Sequence, residues 1–503
     1  MGSSHPDILD FAGDYNLNGI VIQNNAGTGG MFPDAEAGLN IQSLVQELNI
    51  YEGINQNSVY GTMVVVDSTN LIGRLPIQGT ERLFFKLSTP GISKAEGIID
   101  ASEETGHPFY VYKISNKQQT SQGTLVYTIH FASREFMRNL RVKVSKAYEG
   151  KLSNMVKEIF GDKDGLDSRK KLYFEDTRNQ DKIVIPNLPP FKAINMIAKR
   201  AMSGENKGVG MYFYETTKGF YLQSWENMCT QYGVREREPV MYYKYIPGNI
   251  AQPTDEKGDY DQITLGLESV ESYKFINTFH DTASAQALGA YGHRVIAYNF
   301  YDKSINTTDW HYHDQYNETV HADSIQDVGM RDTKPAVKDN PVDYDNLGIS
   351  DYPESRVSVM PTTQFLHNDD TGAFGTNVEQ DAKLEGLRNA LKMQVEAGTA
   401  VVLTVKGQTH VQPGQIIDFA IRPVEEGGFT EGGKTYDPQY SGRYVITKVR
   451  HRVTKQEYKM VLECRKDSVR EPIVGRKIRN FTGTANNENA QYQEIGKFNR
   501  GGR

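Results

Sequence analysis

Cysteine is nearly missing from this chain: 503 residues contain two, Cys229 and Cys464. Two thiols so far apart in sequence make neither a disulfide framework nor a cysteine-based zinc site, and they fit a reduced, cytosolic origin. Long apolar runs are missing as well. No stretch approaches 18 consecutive apolar residues, which excludes a membrane-spanning helix. The opening residues, MGSSHPDILDFAGDY, lack a basic region and an apolar region, so no signal peptide is expected. Positive charge is in deficit. The 56 Lys and Arg against 63 Asp and Glu give a net charge of −7, which opposes nonspecific binding to nucleic acid.

Catalytic patterns are scarce too. GxSxG, HExxH and P-loop motifs are missing, and no Rossmann glycine pattern follows a strand. The glycines of Ala26–Gly30 precede a Met-Phe-Pro segment rather than a helix, and read as a loop. One histidine cluster stands out, Trp310-His311-Tyr312-His313-Asp314, with His321 beyond it. On a strand His311 and His313 would share a face, as a metal pair would require. With no third convincing ligand and no nucleophile nearby, the cluster is read as structural. Catalytic, cofactor-binding and metal-binding residues are therefore all assigned as none, and the chain is expected not to be an enzyme. Each cysteine is expected to be a small buried hydrophobe.

Aromatic residues are plentiful: 29 Tyr and 21 Phe in a chain whose mean hydropathy is −0.57. A polar chain rich in β-forming aromatics predicts strands with one wet face, or large protein interfaces. About 150 residues per domain predicts three to four domains.

Five or so short strand patterns punctuated by Gly, Pro and Asn predict a first barrel within residues 1–135, preceded by an Asn- and Gly-rich extension. The period then changes. Leu152, Met155, Val156, Ile159 and Phe160 fall on one helix face, and a second helix follows Pro189-Pro190. A hairpin turning at Thr217-Lys218-Gly219 completes an α+β unit over 136–234. Residues 235–376 read as a β-containing insertion with an acidic, irregular connector at 331–376. Residues 377–470 begin with a capping box at Asn377 and Gln380 and a helix carrying Leu384, Leu387, Leu391 and Val395. TAVVLTV, QIIDFAI, GRYVITKV and EYKMVLEC then predict a second barrel. Residues 471–503 read as an extended basic arm. The fold class expected is mainly β with α+β parts: two small tube-type barrels, an α+β unit and an insertion.

The C-terminal block carries a recognisable order. It holds Val405, Gly407, Thr409, Pro413-Gly414, Ile416-Ile417 and Phe419, then Ser441-Gly442-Arg443-Tyr444-Val445-Ile446, Val449-Arg450-His451 and Tyr458. This resembles the tail-hub proteins of contractile-tailed, T4-type bacteriophages, which are related to the hub part of type VI secretion spike proteins. Segments 60–87, 148–160 and 183–228 resemble the same baseplate hub proteins, in the same order. The resemblance implies a structural baseplate hub subunit, assembled as a homotrimer with pseudo-sixfold symmetry, that joins the hexameric tail tube to the trimeric central spike around a channel for DNA. It further implies as partners the tail tube or a tube-initiator protein, the central spike protein, the tape-measure protein and baseplate wedge proteins. No cofactor, membrane contact or sequence-specific DNA binding is expected. The expected location is the virion tail baseplate, after assembly in the host cytoplasm. Two rival readings are a cell-wall hydrolase, separable by activity on peptidoglycan with and without chelator, and a carbohydrate-binding tail protein, separable by glycan-array binding.

Overall fold

The computed structural model describes residues 9–469 except 24–37, 75–76, 92–97, 103, 122, 205–207, 231–238, 246–257, 300–302, 324–334, 336, 338–345, 362–366, 369–372, 375–377, 422–435 and 438. The loop glycines Ala26–Gly30, the capping residue Asn377 and the basic arm lie outside the described residues.

The chain is mostly β, as the strand patterns predict. Tyr60–Asp67 shows why: apolar Met63 and Val65 are buried while Thr62, Val64 and Val66 on the other face are only half-buried. The first strand series runs Val45–Gly53, Tyr60–Asp67, Thr124–Ser133, Phe109–Ser121, Arg82–Ser88 and Asn16–Gln23, each antiparallel to the next. The chain itself leads from the last strand of the series back to the first. Leu39–Asn40 pairs with Asn16–Gln23, and Ile41 N–H donates to Ile20 O at 2.7 Å just before Val45–Gly53 begins. Ile20, Leu48, Ile50, Met63, Phe85, Ile129 and Phe131 fill the interior.

The second series runs Val270–Asn277, Thr399–Lys406, Tyr458–Lys466, Gly442–Thr454, Ile416–Ile421 and Met241–Tyr245. A bridge between Lys244 and Ser269 brings its last strand back to its first. The sequence reading places Met241–Tyr245 and Val270–Asn277 in the insertion, yet both pair into the second barrel-like series. The tyrosines of MYYKY and ESYKF explain this: Tyr243 is fully buried in the main core, and Tyr273 packs edge-on against Phe419.

The α+β unit has its own core. Leu152–Gly161 and Pro190–Ala198 pack together over the Met211–Thr216 and Gly219–Ser224 hairpin, burying Ile159, Phe160, Ile194, Phe213 and Phe220. The insertion holds a small sheet in which Gly292–Tyr298 pairs antiparallel with Ile305–His311 and parallel with Val357–Pro361. The last strand arises within the segment expected to be an irregular connector. Helix Val378–Ala397 lies across this sheet. Its close approach is made by small residues: Ala390 is fully buried, and the Gly386 carbonyl lies 3.0 Å from His293 Nε2. Of the expected stripe, Val395 is buried and Leu387 half-buried, while the side chains of Leu384 and Leu391 lie outside the described residues.

Candidate functional site

The two series are joined directly. Lys448–Thr454 of the second pairs antiparallel with Glu47–Gly53 of the first, so one strand belongs to both walls. Gly442–Thr454 can do this because it is long: its first residues ladder with Ile416–Ile421, its later ones with Val45–Gly53. The same hydrophobic cluster continues through the seam, from Leu48 and Ile50 to Val449, Val453 and Tyr458.

Polar side chains finish the seam on its two faces. On the outer face Arg450 donates to Asn49 at 2.9 Å and Arg452 pairs with Glu47 at 2.9 Å. On the inner face the fully buried Glu52 lies 3.3 Å from His451 Nε2, whose Nδ1 is 2.7 Å from the Tyr458 hydroxyl.

The motif residues around 405–419 buttress this joint. Gly407 lies under the Tyr458 ring, where a side chain would overlap the aromatic atoms. Thr409 and Thr89 exchange buried hydrogen bonds at 3.0 and 3.2 Å, tying the second series to the loop after Arg82–Ser88. Gln412 accepts from Thr216 of the α+β unit at 3.1 Å. Gly414, at φ +84°, donates to Ile446 O at 2.8 Å.

A buried charge cluster clamps the α+β unit to the first series. Glu215 accepts from Ser133 Oγ at 2.6 Å and from Val59 N–H at 2.8 Å. Lys170 bridges Glu215 and Glu135. Burial pushes the Glu215 carboxyl up to about 7, with Lys170 opposing and Glu135 adding to the shift. Burial acts the same way on Glu135, but Lys170 and Ser168 hold it below the ordinary carboxylate range. Both carboxylates are enclosed, so the cluster is a clamp rather than an open acid–base pair. Nothing in the sequence spacing selects these three residues.

The histidine cluster is dispersed among structural contacts. The expected shared face is not formed, because the strand ends at His311 and Tyr312–Gln315 turns helical, burying Tyr312 against Tyr291 and Tyr316. His311 Nδ1 meets Ser350 O at 2.9 Å, and His313 Nε2 meets Val337 O at 2.8 Å. Asp314 is exposed. His321 turns away to stack on Tyr316 and pair with Asp467 at 3.0 Å, both buried. Among the described residues no group of three or more His, Cys, Asp or Glu could hold a metal ion. Cys229 and Cys464 are both buried and free, and burial raises the Cys464 thiol well above its usual range. No helix among the described residues is long and apolar enough to cross a membrane.

A curated relative, "Probable baseplate hub protein gp334" of Vibrio phage KVP40, is 20% identical over 435 residues, spanning 85% of this chain and 91% of the relative. The chain is similar to a phage baseplate hub protein. That relative bears out the resemblance to tail-hub proteins carried by the motifs above. Two solved structures also align along most of the chain. A tail protein from Neisseria meningitidis MC58 has a TM-score of 0.47 at 10% identity, covering 90% of this chain and 97% of its own. The 43 kDa tail protein of prophage MuSo2 from Shewanella oneidensis has a TM-score of 0.47 at 9% identity, covering 89% and 98%. No family model matches the sequence.

Proposed function

We propose that this chain is a structural baseplate hub subunit of a contractile phage tail. Three copies form a ring with pseudo-sixfold symmetry that joins the hexameric tail tube to the trimeric central spike, leaving a channel for DNA. The observation that carries this reading is the seam: two barrel-like series stand side by side in one chain, paired through backbone hydrogen bonds between Lys448–Thr454 and Glu47–Gly53. Three such chains supply six barrel-like units. Backbone pairing constrains shape more than side-chain identity, so the two units need not match in sequence.

Ring closure needs an outer edge. Beyond Ser269 the strand Val270–Asn277 has a ladder on one side only among the described residues, and its Ile276 is 56% exposed. An unpaired edge with exposed apolar side chains is a liability that assembly covers. The partners in this reading are the tail tube or a tube initiator, the central spike, the tape-measure protein and the wedge proteins. The role is non-enzymatic, and the subunit reaches the virion after assembly in the host cytoplasm.

Native mass measurement of the purified chain, alone and with its neighbouring tail proteins, tests this, together with an image reconstruction of the assembled particle. Three copies placing six barrels around one channel is the expected result. Two or six copies, or a second series lying far from the axis, overturns it.

A further inference from the structure

A cleft of about 430 Å³ opens where the α+β unit, the seam and helix Val378–Ala397 meet. Its size falls within the roughly 300–1,000 Å³ of ligand pockets. Two adjacent side chains in its wall are buried and unsatisfied among the described residues: Trp225 Nε1–H meets no acceptor and Glu226 Oε1 no hydrogen-bond partner. Buried donors and acceptors are nearly always met, so two unmet ones side by side in a cleft point to an occupant that supplies their partners.

The rim adds charge. Lys199, Arg388, Lys392 and Arg465 line the cleft against Glu226 and Glu396, four cations to two carboxylates, in a chain whose overall balance is acidic. Arg388 is held in place by Glu385 and by donation to Lys199 O at 3.3 Å. Lys392 pairs with Glu396 and Arg465 with Glu463, whereas among the described residues no ion pair engages the exposed Lys199 ammonium.

We propose that this cleft binds an acidic peptide segment of a partner protein, with a backbone amide of the peptide seated between Trp225 and Glu226. An amide matches both orphans at once. Its carbonyl accepts from the indole N–H, and its N–H donates to the carboxylate. Burial raises the Glu226 carboxyl to about 7, and in its neutral form it donates to a peptide carbonyl instead, so either protonation state is served. The acidic side chains of the peptide meet the cationic rim. The chain's own C-terminal stretch is the wrong occupant on charge, since residues 470–503 carry seven Lys or Arg and three Asp or Glu. The inference concerns the single chain and stands apart from the ring reading above.

The test incubates the full chain with two libraries of capped tetrapeptides, one with fixed Asp or Glu and one with fixed Lys, and identifies retained peptides by mass spectrometry. Acidic peptides are expected to be enriched at least about tenfold over basic ones. That enrichment should fall about tenfold in Trp225→Phe, which removes the N–H and keeps an aromatic ring, and in Arg388→Glu on the rim. Unchanged melting temperatures separate loss of binding from loss of fold, and Arg388→Glu serves if Trp225→Phe is unstable. Retention of neither library, equal retention of both, or enrichment that both variants leave intact overturns the proposal.

Discussion

The two strand series solve the same packing problem from different kinds of sequence. The first takes all six strands from residues 16–133, mostly through short local connections. The second collects its strands from 241–466, with the small sheet and helix Val378–Ala397 inserted between Val270–Asn277 and Thr399–Lys406. Loop-closure entropy grows slowly with loop length, so long excursions cost little once the strands pair. The lesson is that a barrel-like wall needs shape and apolar alternation, and contiguity is dispensable. The seam then makes the two series into one body, because a single core runs through both.

Breaking the seam gives the largest expected effect. His451→Leu leaves both the Tyr458 hydroxyl and the Glu52 carboxyl facing an apolar side chain in the interior, and each unmet buried polar group costs about 1–3 kcal/mol. Chemical denaturation should show a lower midpoint for one shared transition. Two separate transitions, with only the second series weakened, would mean that the series fold independently.

Next come two glycines that each face an aromatic ring. Gly61 faces the Phe131 ring in the first series, and Gly407 faces the Tyr458 ring in the second. Gly61→Ala should destabilise by about 1–3 kcal/mol, since the new methyl would overlap the Asn49 carbonyl oxygen as well as the ring. Gly407→Ala has the Tyr458 ring as its nearest contact, a side chain that can shift where a backbone oxygen cannot, and should cost less. Equal thermal shifts for the two would remove the distinction between backbone and side-chain crowding.

A smaller effect depends on pH and belongs to the second series. Burial lowers the His321 imidazole, but the Asp467 carboxylate and the Tyr316 carbonyl together outweigh this and raise it. Burial raises Asp467, but His321 outweighs this and lowers it. The histidine contribution is complete below its unfolded value near 6.5 and is lost as pH rises through its raised folded value. The aspartate contribution is present above about 3.9 and is lost as pH falls through its lowered value. The pair therefore stabilises most between about pH 4 and 6.5. His321→Gln should flatten the stability profile on the alkaline side of that window, and an unaltered profile would exclude this pair as its source.

The smallest effect on the isolated chain is expected from Ile276→Asp. Its side chain is exposed, so the melting temperature should move little, while ring formation with neighbouring tail proteins should fail. A variant that assembles normally would take this edge out of the subunit contact.

Much of the architecture is written in local pattern. Strand alternation in Tyr60–Asp67, the helix face of Leu152 to Phe160, the proline start of Pro190–Ala198 and the turn at Thr217-Lys218 are short-range features, and each appears where the residues place it. The motif around Gly407, Thr409 and Pro413-Gly414 was legible as a resemblance, without its reason. What the tertiary structure alone decided is non-local. Met241–Tyr245 and Val270–Asn277 carry too little alternation to reveal a partner more than a hundred residues away, and the buried Tyr243 and half-buried Tyr273 pack them into the second series. The shared face imagined for His311 and His313 depended on the strand continuing, which the burial of Tyr312 prevents. Lys170 with Glu135 and Glu215, and Trp225 with Glu226, show no distinctive spacing, because the energy of a buried charge or an unmet donor depends on what surrounds it in space. Local periodicity is a property of neighbouring residues and is carried by the chain itself, whereas pairing and desolvation exist only once distant segments have met.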